Sequence, residues 1–138
     1  MRILIVNGPN LNLLGQREPE VYGLRTANEI LDGLRLRYKD IEFDYFQSNH
    51  EGALIDRLQQ ASGHFDGILL NAGGYSHTSI ALRDCIAAIS TPVVEVHMSN
   101  VFSRESFRHE SLLAAVCVGM ICGFGADSYR LGVESFLR

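Results

Sequence analysis

The segment GILLNAGGYSHTSIALRD, residues 67–84, is the clearest guide to the fold. An apolar run, Gly67 to Leu70, leads through a pair of glycines into an amphipathic stretch. A short apolar run of this kind is typical of a buried strand, and an amphipathic stretch is typical of a helix. A strand followed by a crossover helix is the unit from which parallel sheets are built.

The same pattern occurs around four further apolar runs. Parallel strands need right-handed crossovers, so we predict a three-layer α/β/α sandwich with ligands beyond the carboxyl ends of the strands. Periodicity by itself leaves the strand order open. The further predicted strands are Ile3 to Val6, Ile41 to Phe46, Pro92 to Val96 and Val116 to Ile121.

Composition limits the partners and the compartment. With 138 residues, 46% of them apolar, we expect one domain over residues 1–138. The net charge of −4 without a basic block argues against nucleic acid, and the three cysteines, which lack CxxC spacing, fit reduced thiols in the cytoplasm. We expect no metal, because Cys/His clusters are absent. The apolar stretch Leu112 to Ala126 is too short for a membrane helix, and we interpret it as a buried strand with flanks.

Capping residues predict where helices begin. Thr26 and Ser48 each precede a glutamate by three residues, which is the spacing of a capping box. Ser103 is expected to cap a further helix that carries Arg104 and Arg108 on one face. These two arginines suit anion contacts, although surface salt bridges are an equally ordinary use for them.

The connection from Gly8 to Leu24, about seventeen residues, is much longer than is usual between a strand and a helix, and such loops are often lids. It carries Arg17 and Tyr22. Ionising a tyrosine at pH 7 costs about 4 kcal/mol, and a nearby guanidinium favours the phenolate. We therefore interpret Tyr22 as a base supported by Arg17, and Asn7 as a structural turn residue.

Glu95 and His97 lie two residues apart in PVVEVHMSN, residues 92–100, and hence on one side of a strand. Glu95 can orient the imidazole so that His97 acts as an acid, although a purely structural pair is the alternative. Met98 and Ser99 follow where a carboxylate could dock.

The turn after the third strand is a second candidate site for an anion or a hydroxyl group. Asn71 and the paired glycines precede a helix, although an ordinary glycine turn would have the same sequence. His77 is expected to face the ligand, whereas Asp84 could equally be a solvated charge.

Five long motifs follow one another along the chain: NGPNLNLLG at 7–15, REPEVYG at 17–23, FQSNHEG at 46–52, VVEVHMSN at 93–100 and GFGAD at 123–127. In sequence and order they resemble the motifs of the type II 3-dehydroquinate dehydratases. The resemblance covers nearly the whole chain. The resemblance implies a flavodoxin-like sheet of order 2-1-3-4-5 and a homododecamer built as a tetramer of trimers. It also implies cofactor-free dehydration of 3-dehydroquinate to 3-dehydroshikimate in the shikimate pathway.

By this resemblance Tyr22 removes the proton alpha to the ketone, Arg17 supports the phenolate, and Asn12 helps to hold a water at the enolate. His97 protonates the leaving hydroxyl, and Glu95 orients it. The implied substrate contacts are Asn71, Met98 and Ser99 for the carboxylate, His77 and Arg108 for ring hydroxyls, Asp84 from a neighbouring subunit, and Arg104 in support.

Two departures from the family pattern and one independent check bear on this interpretation. Ala72 and Gly74 stand where the family usually has Pro and Ala, and Met98 stands where Leu or Ile is common. The single lysine, Lys39, lies at a polar helix end, which disfavours a Schiff base. Three alternatives remain. The same reaction could serve quinate breakdown, the protein could be a flavodoxin-like binder of a phosphate or a flavin, or it could be a catalytically inactive relative.

Overall fold

Five parallel strands form one sheet in the order β2-β1-β3-β4-β5 in the computed structural model, which describes residues 1–138. This is the order that the family resemblance implied, so the predicted flavodoxin-like sheet is confirmed. The strands are β1 (Arg2–Asn7), β2 (Glu42–Gln47), β3 (Gly67–Asn71), β4 (Val93–His97) and β5 (Gly119–Cys122).

Helices cover both faces of the sheet because side chains alternate along each strand. Ile3 and Ile5 of β1 pack with α2 and α5 in one core cluster, whereas Leu4 and Val6 pack with α3 and α4 in the other. No helix is long and apolar enough to cross a membrane. The helices are α1 (Pro19–Tyr22), α2 (Ala27–Arg37), α3 (Glu51–Ala61), α4 (Ile80–Ala88) and α5 (Asp127–Ser135).

One predicted capping box is confirmed and the other is wrong. The Thr26 hydroxyl accepts from the Glu29 amide, and the Glu29 carboxylate accepts from the Thr26 amide. Before α3, however, Ser48 accepts from the amide of His50, and Glu51 accepts from the Ser79 hydroxyl at the start of α4. A contact between helices therefore replaces the local cap.

The predicted fifth strand is misplaced. Residues Ala114–Val116 form a 3-10 turn, and β5 begins only at Gly119. Because β5 pairs with β4 alone, it is a half-exposed edge strand and not the buried strand that its apolar sequence predicted.

The long connection after β1 is more regular than its sequence indicated. It contains a 3-10 turn, Leu11–Leu13, and the single turn α1, which begins at Pro19, a residue that suits the first helical position. Leu11, Leu14 and Tyr22 are buried in the core, so the loop is packed across the carboxyl ends of the strands.

Candidate active site

A pocket lies at the carboxyl ends of the strands, between the long connection and the segments that follow β3 and β4. This is where a parallel sheet of this kind is expected to bind its ligand. Eight residues of the predicted site line it, and Arg104 lines it as well. The eight are Arg17, Tyr22, Asn71, His77, His97, Met98, Ser99 and Arg108.

Two guanidinium groups flank the predicted base, Tyr22. Arg17 donates from Nη2 to the Tyr22 hydroxyl at 3.1 Å, and its Cζ lies 4.3 Å from the ring centroid. The Cζ of Arg104 lies 5.4 Å from the same centroid. Tyr22 is only 8% exposed, so both charges act on the phenol with little screening by water.

The predicted acid, His97, is bound to a buried carboxylate. His97 donates from Nε2 to Oε2 of Glu95 at 2.5 Å, and Glu95 is completely buried. The alternation of β4 places both side chains on one side of the strand, as their spacing predicted. The bond fixes the imidazole tautomer and leaves Nδ1 as the ring nitrogen that Glu95 does not use.

A second imidazole stacks against the first. The rings of His77 and His97 lie 6.0 Å apart with an interplanar angle of 21°. His77 donates from Nδ1 to the carbonyl of Glu110 at 2.7 Å, because a carbonyl can only accept. His77 is the last residue of a 3-10 turn, Gly73–His77, which Gly73 enters with φ 59°, where a side chain would meet the carbonyl of Pro9. The segment thus contains the glycine turn that the sequence left open as an alternative.

Asn71 belongs to a buried chain of amides and phenols. It donates from Nδ2 to the Tyr129 hydroxyl at 2.9 Å, and Tyr129 donates to Oδ1 of Asn7 at 2.7 Å. Asn7 in turn donates to the Tyr45 hydroxyl at 3.2 Å. Burial raises the pKa of Tyr129, so it remains a neutral phenol. Asn7 is thus the last residue of β1 in a buried network and not the turn residue that the sequence predicted, and the network holds one hydrogen of the Asn71 amide.

The predicted helix that begins at Ser103 is wrong. The side chain of Asn100 caps a 3-10 turn, Val101–Ser103, and a second 3-10 turn, Ser106–Arg108, follows. The arginines still reach the pocket without a shared helical face. Arg104 donates from Nη1 to the Ser99 hydroxyl at 3.2 Å, whereas Arg108 donates to the exposed carboxylate of Glu105 at 3.1 Å.

Three residues of the predicted site do not line the pocket of their own chain: Glu95, which reaches it only through His97, Asn12 and Asp84. Asn12 is exposed and lines a separate hollow with Gln16 and Gln47. Asp84 is exposed on α4. The roles predicted for Asn12 and Asp84 therefore stay predictions.

Sequence reasoning missed Asn10 and Ser111. Asn10 lines the pocket with φ 70°, a left-handed conformation that asparagine tolerates, and its position three residues after β1 was the available signal. Ser111 donates to the Glu95 carboxylate at 2.7 Å from outside the strand, a contact that no sequence spacing indicates.

This fold and pocket define a flavodoxin-like α/β protein with an arginine–tyrosine pair and a glutamate–histidine pair at the carboxyl edge of its sheet. The family model described as dehydroquinase class II matches residues 1–137, and the chain belongs to this family. The family and the enzyme class that the sequence predicted are thereby confirmed.

Relatives and a solved structure match over the full length. The chain is 55% identical to the 3-dehydroquinate dehydratase of Chlorobaculum tepidum over 98% of its own length and 93% of the relative's. It is 58% identical to that of an Exiguobacterium species, with 100% and 95% covered. The crystal structure of the type II dehydroquinase from Butyrivibrio crossotus superposes with a TM-score of 0.96 at 43% identity, with 100% and 98% covered.

Proposed function

We propose that this protein dehydrates 3-dehydroquinate to 3-dehydroshikimate by an anti elimination through an enolate. The observation that carries the proposal is that the Arg17–Tyr22 pair and the Glu95–His97 pair serve one pocket. The relatives that share more than half of its residues are named for the same reaction.

The base step falls to Tyr22. Its phenolate takes the proton alpha to the ketone, and the electrons of the broken C–H bond move onto the carbonyl oxygen to form the enolate. The two flanking guanidinium groups support the charged phenol. Asn10 lines this pocket and Asn12 does not, so Asn10 is the better placed of the two for the contact near the enolate that the family resemblance implied for Asn12.

The acid step falls to His97. As the enolate re-forms the ketone, the C–O bond to the leaving hydroxyl breaks, and the imidazolium gives that oxygen a proton so that water departs. Glu95 stabilises the imidazolium before transfer and holds the ring in place. The new double bond is conjugated with the ketone.

The remaining lining residues suit an anionic, hydroxylated substrate. Asn71 with the Met98–Ser99 segment would take the carboxylate, and His77 with Arg108 would take ring hydroxyls. Asp84 is exposed, which supports a contact with a neighbouring subunit's pocket in a homododecamer. Residues 1–138 would form one catalytic domain of a cytoplasmic enzyme, with unpaired cysteines that suit a reducing compartment.

The test is to incubate the purified protein with 3-dehydroquinate and to follow the ultraviolet absorbance of the conjugated product. We expect product from the wild type and from the matched controls Tyr38→Phe and His64→Gln, and almost none from Tyr22→Phe or His97→Gln. Borohydride with substrate should not inactivate the enzyme, since the only lysine, Lys39, is exposed. An inactive wild type, or flavin absorbance in the purified protein, would refute the proposal.

The reaction is expected to serve the shikimate pathway of aromatic amino acid synthesis. Quinate breakdown uses the same reaction, so the pocket supports both equally. Disrupting the gene should abolish growth without aromatic amino acids; loss of growth on quinate alone would favour the catabolic role.

A further inference from the structure

Ser111 is anchored on one side by backbone amides and on the other by the buried carboxylate of Glu95. It lies between two 3-10 turns, sixteen residues beyond Glu95 in sequence. Its Oγ is 2.7 Å from Oε1 and 2.8 Å from Oε2 of Glu95. The same oxygen accepts hydrogen bonds from the amides of Leu113 and Ala114, both at 3.1 Å.

These contacts fix the direction of the Ser111 hydrogen bond. A hydroxyl group has two acceptor lone pairs and one hydrogen, and the two amides occupy the lone pairs. The single hydrogen must then point to the Glu95 carboxylate. Ser111 is therefore a donor with a fixed orientation, unlike an exposed serine, whose hydroxyl rotates freely.

Glu95 needs such a donor because its carboxylate is completely buried and can rotate easily about the last torsion of the side chain. The only side chains that donate to it are His97 and Ser111. The last torsion of a glutamate has a broad energy minimum, so one bond to His97 would leave the carboxylate free to turn. Ser111 contacts both oxygens and opposes this rotation.

We propose that Ser111 is a positioning residue of the reaction, holding the Glu95 carboxylate in the orientation that keeps His97 aligned to protonate the leaving group. This inference rests on the proposed function. Ser111 does not line the pocket, so it acts through Glu95 and not on the substrate.

Steady-state kinetics of Ser111→Ala and Ser111→Thr test the inference. A hydrogen bond to a charged group is worth about tenfold or more in an equilibrium, so Ser111→Ala should lower kcat about tenfold or more with little change in KM. The dependence of kcat on pH should also differ from that of wild type, because Glu95 loses one of its two side-chain donors. Ser111→Thr keeps the hydroxyl and should recover most of kcat.

Ser76→Ala is the matched control. Ser76 is also completely buried, and its hydroxyl has no hydrogen-bond partner. Its removal should leave kcat and the pH profile unchanged. If Ser111→Ala does not fold, Ser111→Cys, whose thiol is somewhat larger and only a weak donor, should show the same loss of kcat.

The proton resonance of His97 Nε2–H gives a readout that does not depend on activity. It should move in Ser111→Ala and stay in place in Ser76→Ala. An active wild type whose Ser111→Ala variant keeps its kcat, pH profile and resonance would overturn the inference. An inactive wild type would instead overturn the proposed function, and the resonance would still report whether Ser111 holds Glu95.

Discussion

Arg17 contacts Tyr22 at two places, donating to its hydroxyl at 3.1 Å while its Cζ lies 4.3 Å from the ring centroid. The charge is thus held against the phenol by a hydrogen bond and by a cation–π contact. Both residues lie in the connection after β1, at the two ends of a stretch that contains α1.

Arg17→Ala should therefore weaken the base. A guanidinium next to an acid favours its charged form by a factor of about 10 to 1,000, and kcat at pH 7 should fall within that range. Steady-state kinetics check this, with the exposed Arg25→Ala as control; an Arg17→Ala enzyme with the kcat of wild type would contradict it.

Glu95→Gln should lower kcat by about 100-fold or more, because the imidazolium loses the charge that stabilises and orients it. KM should change much less, since Glu95 does not line the pocket. Steady-state kinetics measure both constants. Glu110→Gln, which alters an exposed carboxylate nearby, should behave as wild type. A fully active Glu95→Gln enzyme would show that His97 needs no partner.

Much of the fold was predictable because it depends on local patterns. Apolar runs mark β1 to β4 within one or two residues, and Thr26 marks the start of α2. The strand order came from the family resemblance and not from periodicity. β5 was misplaced because an apolar sequence does not reveal whether a strand has one neighbour or two.

The site was predictable where neighbours in sequence are neighbours in space. Glu95 and His97 share a strand, and Arg17 and Tyr22 share one connection, so spacing was informative. Ser111 was missed because it reaches Glu95 from another segment. The helix predicted after Ser103 failed because spacing alone does not separate an α-helix from two 3-10 turns.

Tyr129→Phe should destabilise the fold. It removes a buried hydroxyl and leaves Oδ1 of Asn7 and Nδ2 of Asn71 without that partner. An unpaired buried polar group costs about 1–3 kcal/mol, so the free energy of unfolding in urea should fall by at least that amount. Tyr38→Phe, which removes a bond to the exposed Glu134, should change it by less than about 0.5 kcal/mol. Equal effects would contradict the network's role.

The native thiols should react slowly. Burial and the charge of Glu95 raise the pKa of Cys117 to about 12, and burial raises the pKa of Cys85. At pH 8 both remain protonated, and the thiolate is the reactive form. Mass spectrometry after iodoacetamide treatment should show both unmodified, whereas protein unfolded in urea should react at all three cysteines. Rapid modification of native Cys117 would contradict the raised pKa of this half-buried thiol near Glu95.

The proposal that Tyr22 is the base and His97 the acid is tested most directly in deuterated water. The measurement is hydrogen exchange at the carbon alpha to the ketone of 3-dehydroquinate. The His97→Gln variant should form almost no product yet incorporate deuterium into recovered substrate, because Tyr22 still forms the enolate. Tyr22→Phe should do neither. Deuterium incorporation by Tyr22→Phe, or its absence with His97→Gln, would contradict the account.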